Sequence, residues 1–182
     1  MANLFGAEKV ARHGMIKQLV ALNVGLYGFY LFSNGPMSLI YKNYFTIDSN
    51  SSILAMPLSN FGHTSVFSLL FNTGILWTVG NSHAMKYGCM KFCTVFGAGC
   101  VGATLLATSR VWSEGGDQLA GCIGGSSALI TYNVFKNPQW FHFFRRIPSG
   151  YFLLVALTAF GTYTKDMGIV GGVAGGFVAS LL

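Results

Sequence analysis

Few side chains in this sequence could do chemistry, and most of the chemistries they suggest fail on spacing. Four histidines (His13, His63, His83, His142) and four cysteines (Cys89, Cys93, Cys100, Cys122) are the candidate soft ligands. Cys89 and Cys93 lie one helical turn apart, while Cys100 and Cys122 fall inside apolar stretches. A zinc site wants short paired spacings of Cys and His in a soluble loop, so these thiols read as buried and inert. Haem would need facing His or Met ligands, and all four histidines fall near the ends of apolar stretches. Pumps and carriers keep ionisable groups at the membrane midplane. No long apolar window here contains Asp, Glu, Lys or Arg, which argues against proton or ion transport. What remains is a small polar set in apolar surroundings: His63, Asn72, and the pair Ser126-Ser127 behind Gly124-Gly125. Taken as residues alone, His63 buttresses the start of a helix. Asn72 bonds to a neighbouring helix, because an amide left unpaired in lipid is costly. The serines are small packing residues.

The elements that must hold these residues follow from composition. The chain has 182 residues, of which 11 are Lys or Arg and 5 are Asp or Glu, so 9% are charged. Ordinary soluble domains carry about 25%. Hydrophobic residues make up 52%, glycines number 24, and mean hydropathy is +0.53. So few charges cannot solvate a globule that is half apolar, which excludes a disordered chain, a coiled coil and a conventional soluble enzyme. The class that fits is an all-α integral membrane protein. Its charges leave six uncharged windows: Gln18–Tyr41, Ser49–Met85, Phe92–Ser109, Gln118–Phe135, Ile147–Thr164 and Met167–Leu182. A bilayer core of about 30 Å needs roughly 17–25 residues of helix. Five windows reach that length and the last stops just short. The second is too long for one span, and its Ser49–Asn60 part has loop chemistry, so its helix should occupy Gly62–Gly80. The expectation is six spans.

Lys and Arg in the short loops set the orientation. Lys9, Arg12, Lys17, Lys86, Lys91, Lys136, Arg145 and Arg146 fall on one side, with Lys42, Arg110 and Lys165 on the other. The N-terminus should therefore face the cytoplasm or the mitochondrial matrix. A pI near 9.3 also raises nucleic-acid binding, but the cations are spread over three loops and form no patch, so none is expected. Residues 1–17 read as a basic amphipathic segment, interfacial or an uncleaved targeting element, ahead of a transmembrane domain over 18–182. No cleavable signal peptide is expected. Interfacial structure is expected around Met37–Phe45. Trp140, Arg145 and Arg146 belong to an aromatic and basic segment at the membrane interface.

Glycine spacing predicts how the spans pack. Gly168, Gly172 and Gly176 recur at every fourth residue of the last span, with Gly171 and Gly175 as a second register. Gly121 and Gly125 repeat the spacing in the fourth span, and Gly99 with Ala103 in the third. Such stripes let another backbone approach closely. Packing within one bundle is the expectation, with homodimerisation through the last helix as the alternative.

Leu58-Ser-Asn-Phe-Gly-His63-Thr-Ser-Val-Phe-Ser68-Leu-Leu-Phe-Asn72 and Leu76-Trp77-Thr-Val-Gly80 resemble the second transmembrane helix of rhomboid intramembrane proteases. Gly124-Gly125-Ser126-Ser127 is similar to that family's Gly-x-Ser nucleophile motif. Ile169-Val-Gly-Gly172-Val-Ala-Gly-Gly176 is similar to its His-x-x-Gly-x-x-x-Gly. The resemblance runs from about Gln18 to Leu182 and implies a six-helix rhomboid-like bundle. It also implies a Ser–His dyad that hydrolyses peptide bonds, with polar groups holding the oxyanion.

Carried over residue by residue, the resemblance breaks at the base. Ser126 fills the nucleophile position, about 12 Å past Gln118 at about 1.5 Å per residue. His63 and Asn72 fill oxyanion-side positions, but Ser68 stands where a histidine is expected. The general-base position is Ile169, which cannot take a proton. His63 is the one candidate for a substitute base. The expectation is a catalytically inactive rhomboid-like protein with vestigial positions Ser126, His63, Asn72, Ser68 and Ile169. No metal, no cofactor and no soluble small-molecule substrate are expected, phospholipids being compatible with the bundle. Its role should then lie in its surface. It would be a structural subunit of a larger membrane complex, of the respiratory-chain or ATP-synthase type, with other membrane subunits and lipids as partners. The alternatives are a client-binding pseudoprotease in import or retrotranslocation, and an active protease with an unusual base. Glu8 is the single acid before the first span, which points to the mitochondrial inner membrane, N-terminus in the matrix, with the endoplasmic reticulum as alternative.

Overall fold

The computed structural model describes residues 2–48, 54–114, 123–137, 149–163 and 166–182, without the side chains of 2–12, 152 and 167. Every regular element among them is a helix. In chain order they are α1 (Ala2–Phe32), α2 (Pro36–Phe45), α3 (Ala55–Leu58) and α4 (Val66–Ile75). A π-helical turn (Leu76–Gly80) leads into α5 (Asn81–Tyr87), followed by α6 (Cys89–Glu114), α7 (Ile123–Lys136), α8 (Ser149–Tyr163) and α9 (Met167–Leu181). Two stretches are long and apolar enough to cross a bilayer, His13–Phe32 and Cys89–Ser113; Leu153–Tyr163 and Gly168–Leu181 are shorter apolar helices.

The first helix differs from the uncharged window at both ends. It stops at Phe32 because Gly35 takes φ 58 and Pro36 opens a new helix. Proline has no N–H to give to a preceding turn but suits a first helical position. Counting charges is blind to such turn chemistry. The new helix α2 falls where interfacial structure was expected. At the other end α1 runs without a break through Lys17 to Ala2. At about 1.5 Å per residue it is about 46 Å long, well beyond a hydrocarbon core of about 30 Å.

The second long helix starts at Val66 rather than Gly62, so His63 precedes it in extended and turn backbone. The π turn adds one residue to the helical repeat and so rotates everything after it. Beyond it, Asn81 meets His13, 3.1 Å from its Nδ1, and His83 is fully buried. The helix ends at Gly88, whose φ of 89 and ψ of 164 only glycine adopts at low cost.

Helices α6, α7 and α9 form the centre, and their contact is built from missing side chains. A Cβ on Gly171 would strike Gly102 O, and one on Gly175 would strike Ala98 O, so this register of α9 lies on α6. A Cβ on Gly172 would strike Gly124 O, and one on Gly176 Ala128 O, so the other register lies on α7. Both glycine faces of α9 are thus used inside the chain. Homodimerisation through this helix has no open glycine face to use. Two positions differ from the spacing rule. Gly125 faces the Phe96 ring, and its neighbour Gly124 makes the backbone approach; Gly168 sits against Asp166 and Ile123 at the start of α9. Gly121, like Trp140, Arg145 and Arg146, lies outside the described residues. Asp166 caps α9, its Oδ1 accepting from Gly168 N at 3.0 Å. Burial pushes its carboxyl up from the ordinary range, and bonds from the Gly168 and Ile169 amides oppose that shift.

Candidate functional site

The sequence-derived positions fall on α4 and the turn before it, on α7 and on α9, and the hydrogen bonds of His63 reach α1, α2 and α4. His63 is fully buried between α3 and α4 and is held at four atoms. Its backbone N–H donates to Tyr41 Oη at 2.7 Å, and the Tyr41 hydroxyl donates to His63 O at 3.0 Å. Its Nε2 lies 2.8 Å from Asn23 Oδ1, and its Nδ1 lies 3.2 Å from Ser68 Oγ.

The tautomer follows from Asn23. Asn23 Nδ2 donates to Leu19 O at 2.7 Å, which fixes its Oδ1 as the acceptor facing His63. His63 therefore carries its proton on Nε2, and its lone pair on Nδ1 accepts from Ser68. The one nitrogen of neutral His63 that could take a proton therefore faces Ser68 and not Ser126. This arrangement joins α1, α2 and α4 and buttresses the start of α4, as residue chemistry alone suggested.

Ser126 is fully buried in the first turn of α7, and its Oγ has no hydrogen-bond partner among the described residues. Two residues earlier, Gly124 abuts Gly172 of α9, one turn beyond Ile169. Ile169 is 2% exposed and packs towards Gly161 of α8. A nucleophilic serine needs a base within about 2.6–3.2 Å, and no described side chain hydrogen-bonds to this one.

Asn72 differs from the expectation of an interhelical bond. Its Nδ2 donates to Ser68 O at 3.0 Å, one turn back in its own helix, and its Oδ1 has no partner among the described residues. Local back-bonding satisfies the amide N–H without a neighbouring helix and leaves the oxygen of this group unpaired among the described residues.

Two residues of this network, Asn23 and Tyr41, were not read from the sequence. An asparagine inside the first apolar window was a usable signal, since such a group needs a partner in lipid. Tyr41 carried none, because its partner is a backbone distant in sequence.

A second buried polar pair lies towards the opposite end of the second helix. Asn133 Nδ2 donates to Leu129 O at 2.7 Å and lies 3.1 Å from His83 Nδ1. The His83 ring is boxed by Tyr87 at 4.8 Å and Tyr132 at 5.0 Å. Lys86 lies 5.2 Å from the Tyr87 ring and Lys91 5.6 Å from the Tyr132 ring, a cation–π arrangement at the end of the bundle. No described cluster of His, Cys, Asp or Glu could hold a metal.

A helical membrane fold with His63 just before a helix that carries Ser68 and Asn72, Ser126 behind Gly124, and α9 packed by glycines defines the rhomboid type. A family model for the rhomboid domain matches residues 51–182, and the chain belongs to that family of membrane-integral proteins. A search of curated proteins finds no match.

Proposed function

We propose that this chain is a non-catalytic member of the family, with six spans, that serves as a structural subunit of a larger membrane assembly. The observation that carries the non-catalytic part is the isolation of Ser126, whose buried Oγ has no hydrogen-bond partner among the described residues. His63 is engaged by Ser68 and Asn23 and not by Ser126, and isoleucine stands at the base position. Without a base, Ser126 remains an un-ionised alcohol at neutral pH.

Helix α1 supports the subunit part. Of its apolar stretch His13–Phe32, 11% is buried within the chain. Ile16 and Asn23 point inward, while Gly14, Gln18, Ala21, Gly25 and Gly28 share the opposite face by their spacing. A Cβ on Gly14, Gly25 or Gly28 would meet nothing within 4 Å, unlike the filled glycine seam between α6, α7 and α9. Small residues on an outward face suit close approach of another transmembrane helix. The basic, acid-poor start of α1 favours the mitochondrial inner membrane with the N-terminus in the matrix.

The test is the native size and composition of the tagged chain extracted in mild detergent from its own membrane. Co-migration at fixed stoichiometry with one large complex is the expected result. A free chain, or a shifting set of substoichiometric clients, refutes the subunit reading, and the second outcome favours a client-binding pseudoprotease. Cleavage of a membrane substrate that Ser126→Ala abolishes would refute the non-catalytic reading.

A further inference from the structure

A groove of about 370 Å³ separates the loop helix α3 from the middle of α6, outside the polar site. Met56, Pro57 and Phe61 form one wall, and Gly97, Cys100 and Val101 form much of the other. The polar groups at its edge are bonded to one another. Asn60 Nδ2 donates to Thr104 Oγ1 at 3.0 Å and to Met56 O at 3.1 Å, and the Thr104 hydroxyl donates to Met56 O at 3.2 Å. A polar ligand would leave its own donors and acceptors unpaired there, at a cost of desolvation. The occupant must be apolar.

Size and depth narrow it further. The space is too small to seat a whole helix about 10–12 Å across and lies near the lower end of small-molecule sites at about 300–1,000 Å³. Gly97 and Thr104 lie about 12–15 Å from the nearer ends of α6 at about 1.5 Å per residue. In a membrane-integral chain that depth is surrounded by acyl chains. The groove is open at Gly97 because that residue has no side chain: a Cβ there would meet nothing within 4 Å.

We propose that this groove holds one acyl chain of a phospholipid as a fixed packing element between α3 and α6. The Asn60–Thr104–Met56 bonds tie α3 to α6 at one edge, and the acyl chain closes the remaining space. The proposal stands apart from the non-catalytic reading and survives its failure.

Gly97→Leu fills the groove from a helical position where leucine is the better helix former, so the fold is retained. Gly97→Ala leaves most of the space open. Native mass spectrometry of the full chain, after extraction and a delipidating wash, should find one phospholipid per chain in the natural protein and in G97A. G97L should retain at least about tenfold less.

A second readout uses Cys100, which lines the groove. In a chain with C89S, C93S and C122S, phospholipase treatment should accelerate maleimide alkylation of Cys100 by about tenfold. A natural chain free of phospholipid, a sterol or other apolar molecule in its place, or equal retention by G97L would overturn the proposal. So would a Cys100 reactivity indifferent to phospholipase.

Discussion

At the scale of single residues, His63 shows how neighbours decide what a side chain can do. Asn23 fixes its tautomer, and the lone pair this leaves on Nδ1 faces Ser68 and not Ser126. Removing Asn23 should leave a buried N–H unpaired. In soluble cores that costs about 1–3 kcal/mol, whereas cycles on bonds between transmembrane helices average about 0.6 kcal/mol. His63 is fully buried and bonded to a different helix, so we expect about 1 kcal/mol for Asn23→Leu, between those two ranges. A cycle of Asn23→Leu, His63→Phe and the double variant, measured by unfolding in detergent, should give coupling of at least about 0.5 kcal/mol. Additive effects would mean that the two side chains do not bond.

At the scale of elements, helix ends are set by a few identifiable groups. Asp166 caps α9 and is partly buried while doing so. Folding raises its pKa, so the folded chain keeps the proton to higher pH than the unfolded chain. The sign follows: stability is highest below the unfolded carboxyl pKa and falls as pH rises towards the folded one. Asp166→Asn retains an oxygen cap and cannot titrate, so it should remove that decline. Asp166→Ala should cost about 0.5–2 kcal/mol at all pH values by loss of the cap. Thermal unfolding of the three proteins across the mildly acid range separates these outcomes. A decline that persists in D166N would assign it to another group.

At the scale of the whole molecule, glycines fall into two kinds that look alike in the sequence. Gly171, Gly172, Gly175 and Gly176 of α9 meet backbone on both registers, and Gly14, Gly25 and Gly28 of α1 meet nothing within 4 Å. Gly172→Leu should therefore prevent folding, since a side chain there must displace Gly124 of α7. Gly25→Leu combined with Gly28→Leu should leave the isolated chain folded and as stable as before. On the subunit reading it should also abolish co-migration with the larger assembly. Gel filtration and native electrophoresis of each variant read the two effects separately. A folded double variant that still co-migrates would place the contact elsewhere on the surface.

Much of this was legible without coordinates, for physical reasons that differ by feature. Charge scarcity with 52% hydrophobic residues already demands a membrane protein, because solvation depends on composition and not on arrangement. The order and approximate positions of the long helices follow from the lengths of uncharged sequence, and the rhomboid relationship from motifs around His63, Ser126 and Gly172. That Ile169 itself cannot accept a proton was equally plain, since no packing can give its side chain a basic atom. The end of α1 at Phe32 required the backbone of Gly35 and Pro36, a local feature that charge counting passes over. Pairing depended wholly on tertiary structure. Asn23, Tyr41 and Ser68 are far apart along the chain, and only the folded bundle brings them to one histidine, two at its ring and Tyr41 at its backbone. The same holds for the glycines, since spacing marks a face on a helix, but which helix lies against that face is set by how the bundle closes.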